Sequence, residues 1–203
     1  MELTRSPLGT LFRAIVSRDR ATALRMLEET PALAGAVVET GGDVFFDEIT
    51  HYAYGGDTAL HMAAAAYLLR VAEALVANGA SVRARNRRGA EPLHYSADGI
   101  PGSRSWDPKA QGAVVRFLID AGADPNAVDK SGVAPLHRAV RTRSTGAVRA
   151  LLEGGADVRL RNKRGSTPLQ LAVQDTGRGG AGSDEARAEQ AAIVQLLLDH
   201  GAR

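Results

Sequence analysis

Apolar residues recur along this chain in pairs of short segments, and the second segment of each pair ends at a Gly-Ala dipeptide. Before Gly122 and Gly201, the apolar residues lie eight, seven, five, four and three positions ahead of the glycine. This spacing is typical of a helix that is buried on a broad face. A glycine directly after it can adopt the left-handed conformation that ends a helix. The pattern therefore predicts a helix before each Gly-Ala dipeptide.

The first segment of each pair follows another glycine, and these glycines set a period. Gly56, Gly89, Gly132 and Gly165 are spaced by 33, 43 and 33 residues. From opening to closing glycine the units span 23, 33, 23 and 36 residues, so the second and fourth carry insertions of 10 and 13 residues. Proline near the start of three first segments suits the first turn of a helix, where its missing N–H is not needed. Each unit therefore predicts a turn, a helix, a second turn and a second helix.

Four segments, GGDTALHMAAAA, RGAEPLHYSADG, SGVAPLHRAVRT and RGSTPLQLAVQD, align with one another. With their 33-residue period, a T-P-L-H-x-A-type start and a Gly-Ala-Asp-type close, they resemble the ankyrin-repeat family. The resemblance covers residues 53–203 and implies an all-α solenoid of stacked antiparallel helix pairs with short turn or hairpin connections. The chain departs from the family pattern where Ala59 stands for Pro, Glu91 and Ala134 for Thr, Ser96 for Ala, and Gln170 for His. These departures weaken single capping bonds and leave the predicted fold unchanged.

We predict a single domain over residues 1–203. Its repeats are residues 53–85, 86–128, 129–161 and 162–203. Residues 1–52 are predicted to form a diverged N-terminal cap and an extended hairpin, because stacked repeats need atypical ends. Two amphipathic patterns, over residues 8–16 and 21–27, predict the helix pair of the cap. Alternating apolar and polar residues around Gly41-Gly42 predict the hairpin.

Both insertions lie between the two helices of their repeat. Asp107 followed by Pro108 predicts a helix N-cap and first helical residue, so the outer helix of the second repeat is lengthened. The Ser-Asp pair at 183–184 offers the corresponding cap in the fourth repeat. Gln111 and Gln190 both stand eleven positions before their closing glycine. This shared position indicates one structural device in the two lengthened repeats.

Composition narrows the functional classes. The 203 residues are 44% hydrophobic and 24% charged, which is typical of a globular protein, and only 4% are aromatic, so the core is aliphatic. A net charge of +2 is too small for phosphate neutralisation to dominate binding. The absence of Cys excludes disulfides, thiolate metal sites and Cys nucleophiles.

The chain shows neither a signal-peptide pattern nor a membrane-span pattern. Arg13 interrupts the apolar stretch near the start, which a signal peptide would keep free of charge. The longest apolar run, residues 62–69, is far shorter than the roughly 20 residues of a membrane span. We therefore expect a cytoplasmic protein that is not attached to a membrane.

Three histidines occupy the same repeat position: His61, His94 and His137. The family resemblance implies that this His bonds the backbone between adjacent turns and helices. Successive repeats would hold these side chains about 8–10 Å apart, which is too far to share a metal ion. We therefore expect no catalytic residue, no metal and no cofactor. A hydrolase-like enzyme with its site at the inserted loops, around His94, Asp98 and Asp107, is the alternative.

A glycine-rich segment, GRGGAG at residues 177–182, matches the G-x-G-x-x-G pattern of dinucleotide sites. That pattern needs a preceding strand and a following helix. Here a predicted helix precedes it, so we expect a loop rather than a cofactor site.

Basic residues recur at equivalent turn positions of consecutive repeats, and two more extend from an inner helix beside them. These residues are Arg87, Arg88, Lys130, Lys163 and Arg164 at the turns, with Arg138 and Arg141 on the helix. Stacking would align them into one stripe on the concave side, whereas solvated turn charges are the alternative. A stripe favours a partner with an acidic surface. Nearby carboxylates and the scarcity of aromatics disfavour nucleic acid, which is kept as an alternative for the arginine stripe.

Tyr54, Asp57, Tyr95 and Trp106 are further candidates for contact with a partner, because aromatic anchors dominate many interfaces. Core packing is the alternative for the tyrosines. We therefore predict a non-enzymatic protein–protein interaction module, a scaffold, adaptor or inhibitor. It would bind another protein through the concave face of hairpins and inner helices and through the inserted loops. A monomer is expected, with self-association through the C-terminal end as the alternative.

Overall fold

The computed structural model describes residues 6–39, 41, 43–99, 106–174 and 184–203 as a row of stacked helix pairs. The first pair is α1 (Pro7–Val16) and α2 (Arg20–Glu29), followed by a short 3₁₀ helix (Pro31–Gly35). Ser6 and Asp19 cap the two helices through side-chain bonds to the N–H groups of Gly9 and Thr22. The two helices predicted over residues 8–16 and 21–27 are therefore present.

The repeats add an inner and an outer layer of helices. The inner helices are α3 (Ala59–Ala65), α5 (Pro92–Ser96), α7 (Pro135–Arg141) and α9 (Pro168–Ala172), and the outer helices are α4 (Leu69–Ala77), α6 (Pro108–Asp120), α8 (Thr145–Glu153) and α10 (Asp184–Asp199). Each helix packs on its counterpart in the next repeat. Leu60, Leu93 and Leu136, four positions after their opening glycines, are buried in the shared core. The all-α repeat solenoid is confirmed.

A two-stranded hairpin lies between the cap and the first repeat. Strand β1 (Val44–Phe46) pairs antiparallel with β2 (His51–Ala53), and Phe45 lies opposite Tyr52. The hairpin turn spans residues 47–50, so the prediction that centred it on Gly41-Gly42 was wrong. Burial explains the position, because Phe46 and Ala53 face inward and Phe46 lies 6.3 Å, centroid to centroid, from Phe12 of the cap.

One Asn or Asp side chain shapes the turn at the start of each of the last three repeats. The Oδ1 atom of Asn86 accepts hydrogen bonds from the N–H groups of Arg88 (2.9 Å) and Ala90 (3.1 Å). Asp129 and Asn162 make the same pair of bonds in the next two repeats. Such side-chain turns fix the backbone locally, so the repeats present their turn residues in the same way.

Main-chain bonds stack these turns on one another. The N–H of Arg87 donates to the carbonyl of Gly55 (2.8 Å), that of Lys130 to Arg88 (2.9 Å), and that of Lys163 to Ser131 (3.1 Å). We call the four stacked turns, residues 54–57, 86–89, 129–132 and 162–165, the turn ladder. The ladder lines up the tips of the repeats along one edge of the molecule.

The loop between the two helices of a repeat ends in one of two ways. In the short first and third repeats, the main-chain N–H of Leu68 or Ser144 donates to the carbonyl of Ala63 or Ala139, at 3.0 Å in both. In the lengthened second repeat, the Nε2 atom of Gln111 takes over this role and lies 3.0 Å from the carbonyl of Ser96.

Gln190 makes the same bond in the fourth repeat, with Nε2 2.8 Å from the carbonyl of Ala172. Leu68, Ser144, Gln111 and Gln190 all stand eleven positions before their closing glycine. A side-chain amide therefore replaces a main-chain amide wherever an insertion has displaced the backbone, which confirms the shared device predicted for the two glutamines.

Candidate functional site: the concave cleft

The hairpin, the turn ladder and the inner helices enclose a cleft of about 1150 Å³ on the concave side. It is lined by nine of the candidate residues predicted from the sequence, namely Tyr54, Arg88, Tyr95, Trp106, Lys130, Arg138, Arg141, Lys163 and Arg164. Asp57 and Arg87 are not among its lining residues. The basic positions of three repeats thus share one surface with the predicted aromatic residues.

Aromatic residues are concentrated at this cleft. The chain has four Tyr, four Phe and one Trp, and all four tyrosines and the tryptophan line the cleft, whereas none of the phenylalanines does. Tyrosine and tryptophan combine a flat apolar ring with a polar group, which suits a surface that alternates between water and a partner.

Asp57 and Tyr95 have a structural role, which corrects the expectation that Asp57 contacts a partner and favours the core-packing alternative for Tyr95. Both side chains are buried, and only Tyr95 is among the residues that line the cleft. The Tyr95 hydroxyl donates to Asp57 Oδ2 (2.6 Å), and Asn86 Nδ2 donates to Asp57 Oδ1 and to the Tyr95 hydroxyl (both 2.9 Å). Burial and the adjacent carboxylate raise the pKa of Tyr95 far above its ordinary value. The tyrosine therefore stays protonated and fixes the turn that holds Asn86.

Six of the seven cations of the predicted stripe, all except Arg141, fall into two groups. Arg87 forms an ion pair with Asp43, and Arg138 lies 2.9 Å from Asp98 and 3.2 Å from Asp129. Their charges are therefore neutralised within the molecule.

Arg88, Lys130, Lys163 and Arg164 are exposed at the turn ladder, and no carboxylate of the described residues pairs with them. The guanidinium of Arg88 instead lies over the Tyr54 ring, 4.3 Å from its centroid, as in a cation–π contact. These four side chains form the part of the stripe that is open to a partner.

Asp98 connects four parts of the structure. Its carboxylate accepts from Arg138 of α7 and from His51 Nε2 of the hairpin (3.3 Å), and its carbonyl accepts from the Tyr67 hydroxyl and from Gln111 Nε2 (3.1 Å). Burial alone would raise the pKa of Asp98, but Arg138 and His51 hold it below its ordinary value. The contact of His51 with Asp98 was not predicted from the sequence. No local pattern signals this contact, because the partners are 47 residues apart.

The equivalent histidines join consecutive repeats. In each, Nδ1 accepts from the N–H of the helix N-cap residue, and Nε2 donates to a carbonyl of the next turn. Nε2 lies 3.2 Å from the carbonyl of Ala90 in His61, 3.1 Å from Val133 in His94, and 3.2 Å from Ser166 in His137. Burial lowers the pKa of all three, to about 4 in His94. The structural role expected for them is thus confirmed.

The residues named for a hydrolase-like site do not converge. His94 uses both ring nitrogens on the main chain, whereas Asp107 caps α6 by accepting from the N–H of Ala110 (2.9 Å). Asp98 is engaged by Arg138 and His51. No cluster of three metal-ligating side chains occurs among the residues that the structure describes. Residues 177–182, the glycine-rich segment, lie outside them.

Comparison with family models agrees with this architecture. A model described as an ankyrin repeat matches residues 55–87 and 88–130, and a model described as ankyrin repeats in many copies matches residues 115–172. The chain belongs to the ankyrin-repeat family. A search of curated proteins finds no matching relative.

Within the ankyrin repeats, the departure at Gln170 has a physical explanation. Its Oε1 atom accepts from the N–H of Thr167 (2.9 Å), which reproduces the capping half of the histidine role. Among the described residues, the Gln170 side chain makes no counterpart of the bond by which the histidines reach the next turn. The departures at Glu91 and Ala134 leave the ankyrin turns intact, because His94 and His137 still accept from their N–H groups (3.1 and 3.2 Å).

No helix in the described parts of the chain is long and apolar enough to cross a membrane.

Proposed function

We propose that the chain is a non-enzymatic protein-binding module and that its concave cleft receives an acidic surface of the partner. The observation that carries the proposal is the distribution of charge. Six basic side chains and two carboxylates line the cleft, a net +4 with His neutral, whereas the whole chain carries +2. The remainder of the protein is therefore net negative, and the positive charge is concentrated where the fold is concave.

Two further properties support binding at this surface. The main-chain bonds of the turn ladder fix the backbone of the turns that carry the cations, so no loop has to be ordered when these turns meet a partner. Tyr52, Tyr54 and Trp106, which are exposed or half-buried, provide aromatic area of the kind that contributes most to the affinity of protein interfaces. Ankyrin repeats generally act as protein–protein interaction modules, which agrees with this assignment.

The proposal is tested by affinity capture from lysate with mass spectrometry. The baits are the wild-type chain, the variant R88E/R164E, and the charge-matched control R20E/R149E. Arg20 and Arg149 are exposed on α2 and α8, away from the cleft lining. We expect the wild type and the control to retain the same protein, and R88E/R164E to retain about tenfold less of it, because reversed rim charges repel an acidic surface.

Equal capture by all three baits would contradict a role for the cleft. Nuclease treatment of the lysate separates the alternative of nucleic-acid binding, because a protein held through RNA or DNA would then be lost from every bait. Binding to the cleft should also weaken as salt rises, since exposed charges are screened over about 8–10 Å at physiological ionic strength.

The oligomeric state forms part of the proposal. We expect a monomer, although the last repeat exposes Val173 (59%) and Leu198 (46%), which would have to be covered in a dimer formed through the C-terminal end. Sedimentation of the wild type and of V173E/L198E distinguishes the two states. If the wild type forms a concentration-dependent dimer and V173E/L198E does not, the expectation of a monomer is wrong.

A further inference from the structure

The indole N–H of Trp106 has no hydrogen-bond acceptor among the described residues. Its Nε1 atom is buried although the residue as a whole is half-buried and lines the cleft. More than nine in ten buried polar groups have a partner in folded proteins, and an orphan calls for an explanation. The indole nitrogen is a donor only. An acceptor supplied by a bound partner would satisfy this donor.

The cleft continues from its basic side to an exposed aromatic row on the hairpin. Phe45 and Tyr52 are cross-strand partners with ring centroids 4.8 Å apart, and both are exposed, at 41% and 47%. Tyr52 stacks on Tyr54 at 5.6 Å with an angle of 17° between the rings. Arg88 lies over Tyr54, so the aromatic row meets the unpaired cations directly.

The dimensions of the cleft match a short length of extended chain. From the turn with Arg88 to the turn with Lys163 there are two repeat steps of about 10 Å each. An extended peptide covers this span with about six residues at ~3.3 Å per residue. The cleft volume of about 1150 Å³ exceeds the ~300–1000 Å³ of common small-molecule pockets.

We propose that the cleft binds an extended acidic segment of a partner protein, of about six residues, that carries one flat apolar residue. The acidic side chains face Lys130, Lys163 and Arg164. The flat residue, aromatic or proline, stacks on Tyr52 and Tyr54. A main-chain carbonyl of the segment accepts from Trp106 Nε1. The inference rests on the protein-binding function proposed above and adds the chemistry of the segment.

Charge distinguishes this occupant from a nucleic-acid strand. A single strand of six nucleotides would place one phosphate per nucleotide along the cleft, in which only Arg88, Lys130, Lys163 and Arg164 are exposed and unpaired with a described carboxylate. Six phosphates exceed these four cations, whereas a segment with two or three acidic residues does not.

The inference is tested with a displayed library of random twelve-residue peptides that is selected on the immobilised full chain. We expect the wild type to enrich peptides with at least two acidic residues and one aromatic residue or proline. The variant K130E/K163E should lose the acidic preference, and Y52A should lose the apolar preference while keeping the acidic one. R20E/R149E serves as the matched control and should select the same peptides as the wild type.

Binding of a synthetic enriched peptide is then followed by the fluorescence of Trp106, which is the only tryptophan of the chain. We expect a shift in its emission, and W106F should bind about three- to tenfold more weakly, because it keeps an aromatic ring and removes one hydrogen-bond donor. Thermal melts of every variant check that the fold is retained.

Each contrary outcome points to a different failure. Enriched peptides without acidic residues, or equal selection by K130E/K163E, would overturn the acidic segment. Unchanged Trp106 emission together with unchanged affinity of W106F would remove the indole contact. Tighter binding of a single-stranded hexanucleotide than of any peptide would favour nucleic acid. If no peptide is enriched but affinity capture retains a protein through Arg88 and Arg164, the protein-binding function stands and the extended segment is wrong.

Discussion

The carboxylate of Asp98 lies 2.9 Å from the guanidinium of Arg138, and 40 residues separate the two along the chain. Asp98 lies just after the inner helix α5, where the insertion of the second repeat begins. Arg138 belongs to α7, the inner helix of the next repeat. The ion pair therefore fixes the start of the insertion against the following repeat, and His51 binds the same carboxylate from the hairpin. One acidic side chain holds together the floor of the cleft.

Replacing Asp98 by Asn should therefore destabilise the protein. The change removes the charge that pairs with Arg138 and His51 but leaves Arg138 its second partner, Asp129. We expect a loss of about 1–3 kcal/mol in the free energy of unfolding, measured by urea denaturation. The exposed Asp120 at the end of α6 offers the control, since D120N should change stability by less than about 0.5 kcal/mol. Equal effects of the two substitutions would show that the contact at Asp98 contributes nothing.

The bonds that the histidines make between repeats should contribute measurably to stability. H137Q keeps an acceptor for the N–H of Ala134, as Gln170 does for Thr167, but loses the bond to the carbonyl of Ser166. We expect a loss of about 0.5–1.5 kcal/mol, because the carbonyl of Ser166 loses one of its two donors and keeps only the N–H of Asn162. The reverse substitution, Q170H, should be nearly neutral, since among the described residues Gln170 contributes only its bond to the N–H of Thr167, and a histidine can accept the same bond. Thermal unfolding followed by circular dichroism compares the two.

Stability should fall in mildly acidic solution. The folded protein lowers the pKa of His61, His94 and His137, to about 4 in His94, whereas unfolded histidines titrate near ~6.5. Between these values the unfolded chain binds more protons, so stability is fully present above about pH 6.5 and is lost as the pH falls toward about 4. We expect Tm to drop by several degrees between pH 7.5 and pH 5.

Asp98, whose pKa is also lowered in the fold, acts in a different window. Its contribution is present above about pH 3.9 and is lost only below it. The loss between pH 7.5 and pH 5 should therefore persist in D98N. A Tm that stays constant over that interval in the wild type would contradict the buried neutral histidines.

Alanine substitutions at two glycines of the turn ladder distinguish the cost of a strained backbone conformation from the cost of a steric clash with the next turn. Both have positive φ, 70° at Gly132 and 81° at Gly165, but a Cβ atom at Gly132 would lie 2.8 Å from the nitrogen of Lys163, whereas one at Gly165 meets nothing within 4 Å. We expect G165A to cost about 1 kcal/mol from its conformation alone. G132A should cost clearly more and should also weaken partner binding, because it pushes two turns apart. Similar losses in both variants would argue against a tightly stacked ladder.

The two glutamines of the lengthened repeats predict a further pair of effects. Q111A removes donors from the carbonyls of Ser96 and Asp98, whereas Q190A removes one from Ala172. Gln111 is fully buried and Gln190 only half-buried, so we expect about 2 kcal/mol for Q111A and about 1 kcal/mol or less for Q190A. Denaturant unfolding measures both, and a larger effect of Q190A would contradict the assignment.

The period, the helix positions and the insertions could be predicted from the sequence because their signals are local. Glycines, prolines and apolar spacing act over a few residues. The cleft was only partly predictable, since the neutralisation of Arg138 and Arg87 depends on partners about 40 residues away. Asp57 and Tyr95 were predicted as partner contacts, with core packing as the alternative for Tyr95, and the bond that joins their side chains spans 38 residues. The recurrent Asn or Asp three positions before an opening glycine was a usable signal that the sequence analysis missed.

The exchange of a main-chain amide for a glutamine side chain gives a rule for protein engineering. Two of the repeats already accommodate 10 and 13 additional residues, and each needs a single amide at a fixed position to close its inner helix. The short repeats hold Leu68 and Ser144 at that position. A foreign loop grafted into the first or third repeat should therefore be accepted when it is accompanied by L68Q or S144Q, which would turn the concave side of this protein into an adjustable scaffold for new binding loops.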